Sequence, residues 1–268
     1  MDTSFSDFDR RPSLADVAHV EASRPFVWLE RGWNDLRANP GPSLAHGVTL
    51  LVLGYVVLML CSTHVALVAA ALSGFLLIGP IFGAAFYELS RLRGAGQPVL
   101  FDASLEGAIK NGKSLVFLGL VLAALGLAWA WLSVVLFERA FGGHVPSLAD
   151  SAYQTLSGGN YTRFILTYLA TGAVFAVVAF LLSAVAAPMI FDGRADTTTG
   201  IAMSIKAAIA NPGAMAVWAL IIAGLTAIGF ATFMIGLVVI LPLLGHATWH
   251  AYRDLIHGSY SPWDLEDI

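Results

Sequence analysis

The 268-residue chain is 57% hydrophobic and only 12% charged, with a net charge of −4 and a mean hydropathy of +0.76. A soluble domain carries about 25% charged and 45–50% apolar residues, so this apolar excess must face lipid. No basic tract suits nucleic acid, and the single cysteine, Cys61, excludes an internal disulfide.

Residues 1–24 are polar and mixed in charge, without the apolar region and small-residue site of a cleavable signal, and read as a flexible cytoplasmic tail. A short amphipathic helix comes next. Phe26, Trp28, Leu29, Trp33 and Leu36 fall largely on one side, among Glu30, Arg31, Asn34, Asp35 and Arg37. It is expected to lie on the cytoplasmic membrane face with Trp28 and Trp33 at headgroup depth. Asn39-Pro40-Gly41 ends it, because the residue before a proline is pushed out of the α region.

A membrane crossing needs about 20 apolar residues at 1.5 Å each. Six stretches qualify: Leu44–Cys61, Val65–Leu89, Ser114–Phe137, Phe164–Phe191, Ala214–Gly229 and Phe233–Tyr252. The first two turn at Ser62-Thr63-His64. Between the second and third, Leu105 to Lys110 forms a second interfacial helix, with Ser104 and Glu106 helping to start it. A 25-residue outer loop, Glu138 to Thr162, follows the third and holds His144, Pro146, Gly158, Gly159 and Asn160. Thr197 to Thr199 help start a third interfacial helix, Ile201 to Ile209, before Asn211-Pro212-Gly213. The last two spans form one apolar run, split near Gly229 to Phe233, and residues 256–268 make a cytoplasmic tail.

One pattern is written three times, over residues 25–93, 104–194 and 201–255: a polar helix ending in Asn, then two apolar runs with a Pro in the second. The Asn residues are Asn39, Asn111 and Asn211, and the prolines are Pro80, Pro188 and Pro242. Fixed order at loosely fixed spacing marks a triplicated hairpin. Twelve of the 14 Lys and Arg fall on one side of the spans, leaving only Arg139 and Arg163 opposite, so both termini are expected in the cytoplasm. The expected fold is all-α: a polytopic membrane protein of six transmembrane helices in three parallel two-helix repeats, with short amphipathic cytoplasmic helices.

Chemistry is sparse. Pro80 and Pro242 lie eleven residues before Arg91 and Arg253, about 16 Å, which is half a hydrocarbon thickness. Pro188 is shallower. Each proline frees a carbonyl, which either packs closely or lines a cavity. His246 and His250 share a helix face with Asp254. Aligning the copies on proline sets Glu88 opposite His250, Tyr87 opposite Trp249 and Arg91 opposite Arg253. His246, His250 and Glu88 are therefore the candidate metal, haem or proton-relay residues, weighed against headgroup-level residues bonded to one another. His46 and His64 lie near span ends without ligand-like neighbours. No phosphate loop, nucleophile elbow or His-Glu-x-x-His is present, so no enzyme and no cofactor is expected.

The strings Gly79-Pro80 … Tyr87-Glu88-Leu89-Ser90-Arg91 and Leu241-Pro242-Leu243-Leu244-Gly245-His246 … Trp249-His250-Ala251-Tyr252-Arg253-Asp254-Leu255 resemble an uncharacterised bacterial inner-membrane family, domain of unknown function 2189. Asn211-Pro212-Gly213 and the Trp28 … Gly32-Trp33 pair also fit, so the resemblance runs from about Pro25 to Leu255. It implies a multi-pass inner-membrane protein of unestablished activity. Some members carry a cytochrome c oxidase label, yet oxidase catalytic subunits have more spans and more axial histidines than this chain. The expected role is non-enzymatic association with the lipid bilayer, with other membrane proteins or with further copies of the chain, in assembly or homeostasis. The alternatives are a small transporter or channel using the proline-bearing helices, and a haem- or metal-binding membrane protein.

Overall fold

Where Asn is followed by Pro, one helix stops and the next begins. Helix α1 (Arg24–Ala38) ends at Asn39, whose backbone lies at φ −134°, ψ 64° and whose N–H donates to the Asp35 carbonyl at 3.2 Å. Pro40 then opens α2 (Pro40–Cys61). The second junction has the same form: α8 (Thr197–Ala210) ends at Asn211, φ −129° and ψ 54°, with its N–H on the Ala207 carbonyl at 3.0 Å, and Pro212 opens α9 (Pro212–Ala231). Proline suits the first turn because its missing N–H has no intrahelical partner there. Asn111 of the middle copy lies outside the described residues.

The computed structural model describes residues 17–63, 67–68, 70–71, 79–80, 82–109, 112–142 and 160–257. The remaining helices are α3 (Ala84–Gly94), α4 (Phe101–Ile109), α5 (Gly112–Phe141), α6 (Asn160–Ser183), α7 (Ala186–Phe191) and α10 (Leu237–His257). No strand occurs among the described residues. Among the described residues four helical stretches are long and apolar enough to cross a membrane: Pro40–Cys61, Gly112–Phe141, Tyr161–Phe191 and Pro212–Ala231. They correspond to the first, third, fourth and fifth expected spans. Residues 64–66, 69, 72–78 and 81, the greater part of each tail, Lys110 and loop residues His144, Pro146, Gly158 and Gly159 fall outside the described residues.

Several expected boundaries move. The outer loop is shorter at both ends, because α5 runs to Phe141 and α6 begins at Asn160. The fourth apolar run breaks at Ala184–Val185, four residues ahead of Pro188, where the proline ring clashes with the helix. The N–H of Val185 is taken up by the Ser204 hydroxyl at 3.2 Å. The last two helices are divided by a tight turn over residues 232–236. There Phe233 and Met234 adopt left-handed φ of 52° and 66°, an unfavourable conformation for residues with a Cβ. The Thr232 hydroxyl braces the turn, donating to the Gly229 carbonyl at 2.8 Å and accepting the Gly236 N–H at 2.9 Å.

Contacts divide the chain into two units. The larger comprises residues 1–51, 80–118 and 181–268. Helix α10 is its hub, with α1, α3, α7 and α9 packed on it. Small residues permit this closeness. A Cβ on Gly32 of α1 would meet the Ala247 backbone nitrogen at 2.6 Å, and one on Gly245 would meet Phe86 at 2.5 Å. In α1 the buried positions are Pro25, Trp28, Gly32, Asp35 and Leu36, a stripe at helical spacing.

The expectation that Trp28 sits at headgroup depth is corrected here. Trp28 is fully buried and meets Trp218 edge-on at 5.9 Å. The outward face instead carries Phe26 and Trp33. Asp35 is likewise buried rather than on the polar side of α1. The starts of the two later interfacial helices also differ. Ser104 is the fourth residue of α4, and α8 is capped by Asp196, whose side chain accepts the Thr199 N–H.

The smaller unit comprises residues 52–79 and 119–180. Its α5 and α6 portions are joined by rings. Trp129 packs against Tyr168 at 4.9 Å and Phe175 at 5.4 Å, above Gly172. Phe137 and Phe141 each meet Phe164 at 4.8 Å.

Replacing Gly32 by Ala is expected to destabilise the protein by about 1–3 kcal/mol, since the new methyl faces backbone that cannot rotate away. Gly41→Ala has open space and is expected to be neutral or stabilising. Thermal unfolding of the two variants in one detergent checks this; equal midpoints would contradict the close approach of α1 and α10.

Candidate functional site

Four carboxylates in the larger unit are mostly buried, and each is answered by named partners. Asp254, near the end of α10, accepts from Arg24 Nε at 2.5 Å and from the Trp28 indole Nε1 at 2.7 Å, with Arg31 at 3.5 Å. Asp35 on α1 pairs with Arg93 of α3 and accepts from His250 Nε2 at 2.9 Å. Glu88 holds Arg91 in a two-pronged pair, both contacts at 2.6 Å. Asp192 accepts from the Tyr252 hydroxyl at 2.7 Å and from Arg194 Nε at 2.9 Å. A buried carboxylate without such partners would cost several kcal/mol.

Donor accounting orients the central chain. Ser90 has one hydroxyl hydrogen, and it goes to Asp35 Oδ2 at 2.5 Å. The Ser90 oxygen therefore accepts from His246 Nδ1, 2.8 Å away. That makes His246 Nε2 of the neutral ring an acceptor, and it takes the Ser43 hydroxyl hydrogen at 3.0 Å. The result is a continuous path, Ser43–His246–Ser90–Asp35–His250, joining α2, α10, α3 and α1. Burial opposes ionisation of Asp35. The His250 hydrogen bond, the two neighbouring imidazoles and the Ser90 hydroxyl outweigh it and bring the carboxyl down to about 2. Donating to the Glu88 carboxylate likewise holds Arg91 above its ordinary value.

The candidate residues are thus distributed unevenly. His246 and His250 join one chain, but through Ser90 and Asp35 rather than through a shared ligand. Glu88 is engaged with Arg91. Among the described residues no group of three or more His, Cys, Asp or Glu is arranged to hold a metal ion. Asp254 turns to Arg24 and Trp28. His46 is buried, stacks on Phe101 at 4.2 Å and meets the Ser104 hydroxyl at 2.7 Å.

Pro242 lies inside α10 and leaves the Val238 carbonyl without its N–H partner. Helix α2 fills the space there: a Cβ on Gly47 would collide with that carbonyl oxygen. Pro188 follows the break before α7, and the Pro80 carbonyl accepts from the Tyr87 hydroxyl at 3.4 Å. Asn39 and Asn211 both cap helices, and Asn211 does more. Its side chain accepts the Val20 N–H at 2.8 Å and donates to the Ala18 carbonyl at 3.0 Å. Ala18 N–H also donates to the Leu255 carbonyl at 2.8 Å, so residues 18–20 are strapped to α8 and α10.

Asp35, Ser43, Ser90 and Asp192 were not singled out by sequence. A signal existed for Asp35: positions 28, 32, 35 and 36 form one helical stripe, with the carboxylate inside it. The serines carry no comparable mark.

Asp35→Asn is expected to destabilise the protein by about 3 kcal/mol at neutral pH, because Arg93 loses its counter-charge and the buried hydrogen-bonded cluster its carboxylate. The folded-state value lies below the ordinary one, so this stabilisation is complete above 3.8 and lost as pH falls through about 2. Unfolding midpoints of wild type and variant should therefore converge as acid is added; a constant gap down to the lowest pH would contradict the assignment.

Residues 67–192, just under half of the chain, match the model of a family described as "predicted integral membrane protein (domain of unknown function 2189)". The chain matches no curated protein and no solved structure. The matched stretch contains the Gly79-Pro80 and Tyr87-Glu88-Leu89-Ser90-Arg91 strings, and the matched family is the one those strings resemble.

Proposed function

We propose that the protein is a non-enzymatic, multi-pass protein of the bacterial cytoplasmic membrane that associates with other membrane proteins or with lipids. In this reading it has six spans in three parallel hairpins and both termini in the cytoplasm. The observation that carries the association is on α1: Phe26 and Trp33 are 60% and 43% exposed on a helix otherwise pinned by buried ion pairs. They lie seven residues apart, with Arg37 four further on, which makes one stripe about 16 Å long. Large rings left outside on a fixed helix suit a contact surface.

Two observations support the hairpin arrangement. The Asn39 and Asn211 junctions share one backbone form. The three proline-bearing segments also meet through rings, with Tyr87 5.9 Å from Phe191, Phe191 6.1 Å from Trp249 and Tyr87 6.4 Å from Trp249. The non-enzymatic reading is supported by the pairing of the buried acids with fixed cations and hydroxyls. A transport reading draws on the hydrogen-bonded path from Ser43 to His250. It requires water to reach cysteines placed beside Pro80 and Pro242.

A photoactivatable phenylalanine analogue at position 26 or 33 should give adducts with lipid or with a neighbouring protein in native membranes. Reporters at the two chain ends should face the same compartment. Clean membranes without adducts at either position would remove the association; reporters on opposite sides would remove the paired hairpins.

A further inference from the structure

Helix α8 is turned inside out relative to a helix that meets water. Its buried positions are Thr197, Gly200, Met203, Ser204, Ala207 and Ala208, so two hydroxyls face inward. Its outward stripe is apolar beyond the first turn. Thr198, Ala202 and Ile209 are exposed and Ile205 is half-buried, at spacings that keep all four on one side, with Ile209 73% exposed. Lys206, at the edge of that stripe, is the one charged residue in the helix, and no ion pair holds it among the described residues. The other two short helices differ. Helix α1 exposes Glu30, Asn34 and Arg37, and α4 exposes Asp102 and Glu106.

The inner face of α8 fixes its level. A Cβ on Gly200 would meet Ile190 at 3.0 Å and Ala186 at 3.4 Å, and the Ser204 hydroxyl takes the Val185 N–H at 3.2 Å. These partners belong to the last two turns of the membrane-length stretch Tyr161–Phe191, at most about 9 Å inside its end. Helix α8 therefore runs beside the end of a span rather than above it. Exposed apolar surface also continues from Ile209 through Pro212 and Ala216 to Leu220, 72% exposed, on the membrane-length α9. No charged side chain separates that lipid-facing surface from the outward stripe of α8. We propose that α8 lies immersed in the interfacial layer of the bilayer, with Ala202, Ile205 and Ile209 against acyl chains and Lys206 extended to a phospholipid phosphate. Lysine suits that depth, because its apolar stem sits among the chains while its ammonium reaches the headgroups. The assignment rests on the reading of α9 as a membrane span and deepens the lipid arm of the proposed association.

Single nitroxide labels test this in the full-length protein, with Cys61→Ser removing the native thiol. Ala202→Cys, Ile209→Cys and Leu220→Cys are labelled one at a time in vesicles of phosphatidylethanolamine and phosphatidylglycerol. Collisions with oxygen, which concentrates among acyl chains, are compared with collisions with a neutral nickel chelate, which stays in water. Oxygen should dominate at all three positions, most strongly at 220. Chelate dominance at 202 and 209 with oxygen dominance at 220 would overturn the immersion of α8. Few collisions with either reagent at 202 and 209 would show a protein surface over the stripe and overturn it equally. Chelate dominance at 220 as well would mark failure of the membrane reading itself. Lys206→Glu sets a carboxylate beside the phosphates and should raise chelate access at 209 about twofold, whereas Lys206→Arg should leave it unchanged. Equal access in the Glu and Arg variants would overturn the phosphate contact.

Discussion

Asp254 is 3% exposed and Asp35 5% exposed, and both lie where α1 crosses the end of α10. Burial of two like charges within one packing surface is tolerable only with opposite charges and donors at hand. Arg24, Arg31 and the Trp28 indole answer the first; Arg93, His250 and Ser90 answer the second. Each set joins different chain segments, so the same charges that penalise burial also specify where α1 must sit. An exposed ion pair would give little such direction, being worth about 0–1 kcal/mol.

Close backbone approach follows from that constraint. Gly32 lets α1 reach the backbone of α10, and Gly47 lets α2 reach the carbonyl freed by Pro242. Two features that suggest a cavity when read singly, a mid-helix proline and a nearby glycine, here complement each other as packing. The polar path from Ser43 to His250 runs through the same packed region and is satisfied at every member that donor accounting reaches. The large rings left on the outward face of α1, Phe26 and Trp33, stand outside this packed region.

Much of the architecture was legible because membrane helices leave strong marks. Apolar length gave four spans that recur as helices, and Asn-Pro marked two junctions to the residue, since proline's ring restricts its neighbour whatever the tertiary setting. The break at Ala184–Val185 was less visible, because Pro188 sits inside an uninterrupted apolar run. The polar centre was legible only in part. His246 and His250 stand out in an apolar stretch, but their partners Ser43, Ser90 and Asp35 come from three distant segments. Trp28 and Trp33 look equivalent in sequence. Only the presence of Trp218 and Asp254 on facing helices decides that one goes in and the other stays out.

The central claim is that α1 is a docked part of the helical assembly rather than a helix resting freely on the membrane surface. Amide hydrogen exchange on the purified, full-length protein tests it most directly. Amides from Trp28 to Leu36 are expected to exchange as slowly as those of the facing segment of α10. Fast exchange along α1 while α10 remains protected would contradict the account.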